Sequence, residues 1–466
     1  MTAVADTHLT RELRALDAAH VLHPFTDHAA LAAKGARVIT HAEGIWIWDA
    51  NGQRILDGMS GLWCVNAGYG RRELADAAYQ QMLRLPFYNT FFQTTTEPPV
   101  RLAQRLTELA PPVAGRRFTH VFFTSSGSEA NDTNVRLVRR YWDLMGQPQR
   151  KVIISRRNAY HGSTVAAASL GGMAAMHAQG DLPIPGIEHI EQPYYWDLRQ
   201  PGETPEAFGV RAARWLEDKI LAIGPDKVAA FIAEPVQGAG GVIIPPATYW
   251  PEVQRIVDRY GILLIDDEVI CAFGRLGHWF AYERFGIRPD LVTFAKGVTS
   301  GYVPLGGVLV GERVAKVLVE GGEFTHGYTY SGHPVACAVA LANLELMQRE
   351  ALPERVRSDT GPYLAERFAT LADHPLVGVT ESCGFVAGLI LVRDKATLTP
   401  FPEDWEVGML CRQHCFDTGV VMRAVGSRMI IAPPLVMTRA DIDTMIGLIR
   451  RALDATWDDL RRQGRA

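Results

Sequence analysis

Between about residues 100 and 330, short apolar runs alternate with longer amphipathic stretches, and no other feature limits the possible folds so strongly. The runs are VFF (121–123), KVIIS (151–155), VAAFIAE (228–234), ILLID (262–266), LVTFA (291–295) and PLGGVLV (304–310). Runs this short, apolar and rich in Val and Ile read as strands buried on both faces, with the intervening stretches as helices that cover them. The expected body is α/β with a mostly parallel central sheet. Outside it the texture changes. GIWIWDANGQRILDG reads as two short strands joined around Asn51-Gly52, and beyond about 335 an Ala- and Leu-rich helix leads to mixed strands around GLILV (388–392). The last element is a helix, with Thr438 and Asp441 at capping-box spacing and Ile442, Met445, Ile446, Ile449 and Leu453 on one face. We therefore expect a large domain over 76–335 and a smaller α+β domain over 336–466, joined by the N-terminal segment 1–75.

Basic and acidic residues nearly balance, 47 against 51, and no block of like charge stands out, so neither nucleic acid nor an anionic membrane is an expected partner. A small molecule is. The first residues carry no apolar core of a secretory signal, and no apolar run approaches the roughly 18 residues of a membrane span. A soluble, cytoplasmic protein is expected. The six cysteines form no paired framework, and Cys411, His414 and Cys415, which can share a helix face, lack the second half of a zinc site, so no metal is expected. Only seven of the 47 basic residues are lysines, which makes an unusually placed lysine visible.

In open α/β sheets ligands bind beyond the carboxyl ends of the strands. After VFF comes TSSGSEAND, a small polar segment opening an amphipathic helix, where free N–H groups and the hydroxyls of Ser126 and Ser128 around Gly127 suit a phosphate. After ILLI come Asp266, Asp267 and Glu268; carboxylates there are costly without a cation or donor, so one of them calls for a dedicated partner. After LVTFA comes Lys296, where burial would lower the amine's pKa toward nucleophilicity. Parallel strands bring these three signals to one sheet edge. Anion cradle, buried acid and amine nucleophile together are what pyridoxal phosphate requires, and Tyr160 in NAYHGST offers a ring to stack on it.

TSSGSEAND, NAYHGST, EPVQGAGG, DDEVICAFGR, TFAKG and TYSGHP, in that order, resemble the class III aminotransferases of the fold-type I pyridoxal phosphate enzymes, over essentially the whole chain. SGLWCVNAGYG, LPFYNTFF, SLGGMAAMHAQGDLPIPG and MRAVGSRMIIAPPL resemble the omega-transaminase (amine:pyruvate) branch, with putrescine:pyruvate transaminases close by. The resemblance implies that Lys296 carries the cofactor and that Asp267 partners its ring nitrogen. It implies that Ser126, Gly127 and Ser128 hold the phosphate, that Tyr160 stacks on the ring, and that His161, Glu234 and Val269 lie at the cofactor. Thr329 would reach the phosphate from a neighbouring subunit, which implies a homodimer with shared active sites, or a tetramer built from it. Trp63, Phe91 and Tyr160 would line the substrate pocket, and Arg423 would bind the carboxylate of the oxo-acid acceptor. Two places depart from the family pattern: Ile270 and Ala272 stand where glutamine and glycine are common, and GVTESCGF (378–385) replaces a more common arginine-glycine turn.

The implied reaction is a ping-pong transamination. A primary amine, whether an aryl-alkyl amine, a diamine or an omega-amino acid, gives its amino group to the cofactor, and pyruvate or a similar oxo acid takes it up. Putrescine or another polyamine is the alternative physiological donor. The same cofactor in a decarboxylase or aminomutase is a reading of another class, and a pyridoxal phosphate-binding protein without turnover is a third, disfavoured because Lys296, Asp267 and Tyr160 are all present.

Overall fold

The computed structural model describes residues 6–465. Its centre is a seven-stranded sheet in the order β4-β10-β9-β8-β7-β5-β6, built after a three-stranded antiparallel sheet of β1 (Ile39–Glu43), β2 (Trp46–Asp49) and β3 (Arg54–Leu56). The central strands are β4 (Phe118–Thr124), β5 (Val152–Arg156), β6 (Ile187–Ile190), β7 (Val228–Ala233), β8 (Leu263–Asp267), β9 (Leu291–Phe294) and β10 (Gly306–Gly311). From β6 to β9 neighbouring strands are parallel. β10 runs against both β9 and β4. All six apolar runs are strands. β6 escaped the sequence reading because IEHI is short and half polar.

Period two decides which side chain meets which layer. Ile153, Ile232, Ile265 and Val308 pack on one face against Val135, Val138 and Trp142 of the helix Gly127–Leu144. Their neighbours Ile154, Phe231, Leu264 and Leu309 pack on the other against Phe208 and Leu216 of the helix Pro205–Ile223 and Val253 and Val257 of the helix Tyr249–Tyr260. The result is a three-layer α/β/α body, the architecture of the fold-type I pyridoxal phosphate enzymes.

Toward the C-terminus β11 (Val377–Cys383), β12 (Val386–Asp394), β13 (Thr399–Pro400), β14 (Arg423–Val425) and β15 (Arg428–Ile431) form an antiparallel sheet ordered β11-β12-β15-β14, with β13 on β12. The β3 end is tied to it by backbone bonds: Leu56 N–H donates to Gly419 O, Val421 N–H to Leu56 O and Ala432 N–H to Gly58 O. Asn51-Gly52 makes the β2–β3 turn, with Gly52 at φ +83°. No helix among the described residues is long and apolar enough to cross a membrane.

The closing helix, Arg439–Arg462, starts with a complete capping box: Thr438 Oγ1 accepts from Asp441 N–H while the Asp441 carboxylate accepts from Thr438 N–H. Ile442, Met445, Ile446, Ile449 and Leu453 are all buried. Thr438→Ala should cost about 1 kcal/mol of stability, read as a lowered denaturation midpoint with an unchanged denaturant slope.

Candidate active site

β4, β5, β7, β8 and β9 end at the same sheet edge, where a cavity of about 320 Å³ opens. β10 enters the sheet from that edge, so Pro304 and Leu305 at its start also line the cavity.

One end of the cavity is a helix start. Ser126, in extended conformation, caps the helix Gly127–Leu144 by accepting Glu129 N–H at 3.2 Å, while the Glu129 carboxylate accepts Ser125 N–H at 2.7 Å. The N–H groups of Gly127 and Ser128 lie in the first turn, where no carbonyl of the helix can reach them, at the positive end of the helix dipole. A Cβ on Gly127 would stand 2.8 Å from Val269 Cγ2, so only glycine leaves this corner open. Gly162 packs as closely from the other side: at φ +137° its missing Cβ would lie 2.5 Å from Ser128 Oγ. The corner presents backbone donors of the kind that suit an anion.

Asp267, 3% exposed at the end of β8, has the dedicated partners that its burial demands. Its Oδ2 accepts Asn131 Nδ2–H at 2.8 Å and lies 2.6 Å from His161 Nδ1, and its Oδ1 accepts Val269 N–H at 3.1 Å. Asn131 is itself held: its Nδ2 also donates to His161 O, and its Oδ1 accepts from Thr293 Oγ1 and Asn134 Nδ2. Sequence reasoning missed Asn131, although it quoted the segment. The signal was there: Asn131 and Asn134 sit three apart on a helix face that is otherwise apolar and buried.

The neighbouring acids have other duties. The Glu268 carboxylate accepts the N–H groups of Ala281 and Tyr282 at 2.5 and 2.8 Å. Asp266 is buried as well, and burial first, then the charge of Glu268, pushes it well above the usual carboxylate range. Burial raises Glu268 too, so this pair presents less charge than its composition indicates.

Lys296 lines the cavity directly after β9, with φ +43°, a conformation rare for a side chain of this size. Burial pushes its amine below the ordinary 10.5, against the pull of Cys64, Asp267 and Glu234. Tyr160 and His161 line the same cavity. Tyr160 OH is 3.1 Å from Ser163 Oγ, and Tyr160 N–H donates to Glu234. Glu234 stands one layer back: buried, raised by burial, it also accepts Gly238 N–H and so fixes the loop beneath Tyr160.

Trp63 and Arg423 do not line the cavity: Trp63 is buried in an apolar cluster with Ile270 behind Tyr160, and the Arg423 guanidinium lies 5.0 Å over its ring. Ile270 fills the space beside Gly238 with methyl groups, which accounts for an apolar residue at this position. Cys64, next to Trp63 in the chain and not singled out by the sequence, lines the cavity. Two further residues lie farther off in the single chain. Phe91 lines a second cavity of about 330 Å³ with His326 and Gly327, and Thr329 is exposed in the segment that follows. His414 is engaged by Asp459 at 2.6 Å, while Cys411 and Cys415 are buried on the same helix.

The profile of "Aminotransferase class-III" matches residues 30–453. The chain is 57% identical over 448 residues, 96% of its length, to the putrescine--pyruvate aminotransferase of Pseudomonas aeruginosa, 97% of which is covered. It superposes with TM-score 0.92 and 39% identity on the omega transaminase of Pseudomonas jessenii in complex with PMP, covering 97% of this chain and 99% of that one. With the same TM-score and identity it superposes, over 96% of this chain and 99% of the other, on a thermostable omega transaminase variant in which a tryptophan, a phenylalanine and an arginine were replaced for the synthesis of enantiopure bulky amines. Pyridoxal phosphate is the cofactor, and the residues present suit it: an open anion cradle, a buried carboxylate with oriented donors, an enclosed lysine, and a ring beside them.

In the cofactor-free chain the enclosed amine has a cost. The folded pKa is below 10.5, so destabilisation is full beneath the folded value, fades as pH rises through the interval, and is gone above 10.5. Cofactor-free Lys296→Met should therefore resist urea better than cofactor-free wild type at pH 7, with the gap shrinking as pH approaches 10.5. A gap independent of pH would assign the effect to packing instead of charge.

Proposed function

The chain belongs to the class-III aminotransferases and is an omega-transaminase that moves an amino group from an amine to an oxo acid; on that premise we propose that its donor is an aliphatic diamine of the putrescine type and its acceptor pyruvate. The observation that carries the reading is the convergence of Lys296, Asp267 and the Ser126–Ser128 cradle on one cavity. The diamine is supported by the 57% identity to a putrescine--pyruvate aminotransferase over nearly all of both chains and by the apolar wall around Trp63, which suits a run of methylenes.

Bound pyridoxal phosphate supplies an aldehyde carbon that takes the amino group and a ring that receives the electrons released at the donor carbon. The chain's residues do the rest. Backbone N–H groups at Gly127 and Ser128 would hold the phosphate. Asp267 presents its carboxylate to the ring nitrogen, and Asn131 and His161 keep it from turning away. Lys296 Nζ, poorly solvated and therefore easier to deprotonate, would take the proton from the donor carbon and deliver it to the cofactor's aldehyde carbon. Tyr160 covers one face of the ring, on a backbone pinned by Glu234.

Arg423 answers a selectivity problem: one pocket has to receive both an amine and a carboxylate. Resting on Trp63, its guanidinium is half-buried and can turn its planar fork to pyruvate and back. The replaced tryptophan and phenylalanine of the engineered relative are separated by the same number of residues as Trp63 and Phe91, with an arginine far downstream as here. That parallel supports all three as the residues that shape the substrate pocket. Phe91 and Thr329, outside the cavity of their own chain, gain a role in a homodimer that shares its active sites, where they reach the cavity of the second copy.

Lys296→Ala should retain the fold and lose turnover by at least about 10³-fold. With pyruvate as acceptor, putrescine should give a higher kcat/KM than 1-phenylethylamine or β-alanine, with one alanine formed per amine consumed and no carbon dioxide. Release of carbon dioxide would point to a decarboxylase, and a preference for β-alanine would remove the diamine reading. Arg423→Ala should raise the KM for pyruvate about tenfold or more while leaving that for the diamine nearly unchanged. Equal effects on both would remove Arg423 from carboxylate binding.

A further inference from the structure

β14 and β15 form the hairpin that carries Arg423, and a second arginine on it, Arg428, is 5% exposed and lies away from the cavity. Its guanidinium makes three contacts to three different segments. Nη2 donates to Glu381 Oε2 at 2.6 Å and to Val242 O at 2.8 Å, and Nη1 donates to Tyr194 OH at 2.6 Å. The guanidinium carbon also sits 4.9 Å from the centre of the Tyr194 ring.

The sheet register shows what this arginine holds. Arg423 faces Ile430, Ile430 faces Gly388, and Gly388 faces Glu381, so Arg423 and Glu381 occupy the ends of one row across four strands. Arg428 crosses that row where it has no side chain: a Cβ on Gly388 would be 3.2 Å from Arg428 Nε. On the far side it passes Gly241, whose absent Cβ would be 3.0 Å from Arg428 Cδ at φ +122°. Two glycines thus make a channel for one side chain. The loop at its end starts at Glu234, the residue that pins Tyr160, and Gly238 N–H and Asn158 Nδ2 fasten that loop on both sides. Glu381 stands within GVTESCGF, the segment in which this chain departs from its family's arginine-glycine turn.

We propose that Arg428 is a positioning residue for oxo-acid recognition: by joining Glu381, Tyr194 and the 238–242 loop, it fixes the hairpin backbone from which Arg423 reaches the acceptor carboxylate. A side chain that has to swing between two positions needs a base that does not move, and a buried, hydrogen-bonded guanidinium supplies one. The proposal rests on the reading of Arg423 as the carboxylate-binding residue. It assigns Arg428 no contact with substrate or cofactor.

The experiment compares Arg428→Lys, Tyr194→Phe and Arg423→Ala in the holoenzyme, following the amine and pyruvate half-reactions separately by cofactor absorbance. Arg428→Lys keeps the charge but loses the fork, and should raise the KM for pyruvate about tenfold while the amine half-reaction stays within about twofold. Tyr194→Phe removes a single hydrogen bond and should move the pyruvate KM in the same direction by about threefold, so the idea remains testable if the lysine variant does not fold. A parallel loss in both half-reactions, or no change in either, overturns the proposal. If Arg423→Ala leaves the pyruvate KM unchanged, the Arg423 reading falls and this one with it. If Arg423→Ala raises that KM and the other two variants do not, only the role of Arg428 falls.

Discussion

The structure is organised around a carboxylate that cannot be left alone. Asp267 is buried at the end of a central strand, and an ionised acid in that position is tolerated only when donors surround it. Those donors come from the helix after β4, the loop after β5 and the backbone just beyond β8 itself. Satisfying one side chain therefore fixes how three strand ends meet. Asn131 is the joint: it donates to Asp267 and to His161 O while Thr293 of β9 donates to its own oxygen, which links the acid to the strand that delivers Lys296.

The same economy governs the surrounding charge. Glu234, Asp266, Asp267 and Glu268 are each at most 3% exposed, which would be prohibitive for four independent anions. They are not independent. Burial pushes Glu234, Asp266 and Glu268 up toward their neutral forms, while Asp267 is held by Asn131, His161 and the Val269 N–H. The environment thus separates four chemically similar groups, one that lines the cavity and three held behind it.

Much of this was legible in the residues, and the limits have physical reasons. Runs apolar throughout predicted buried strands, and the residues following them predicted the site, because strand direction alone carries those side chains to one edge. The direction of β10 was not legible, since PLGGVLV reads the same in either orientation. Asn131 and Arg428 were missed for a common reason: a buried polar residue is recognisable only with its partners, and those lie 136 residues away for Asn131 with Asp267 and 47 for Arg428 with Glu381. Phe91 and Thr329 show another limit: the resemblance put them at the site, and the single chain places them away from its cavity.

β10 has one more consequence, for the order in which the chain can assemble. β4, which leads into the anion cradle, pairs with β10 alone, and β10 also borders the strand that leads into Lys296. The last strand of the sheet in sequence is therefore its second in space. A nascent chain that ended before residue 306 would already contain cradle, acid and lysine, but the first would be tied to the other two only through the helix that follows it, with β4 lacking its strand partner. Such a late, long-range closure is slow in principle, since the loop between β4 and β10 has to be brought to order before its contacts repay it. Residues 306–311, which contribute no reacting group, are the step on which an active site waits.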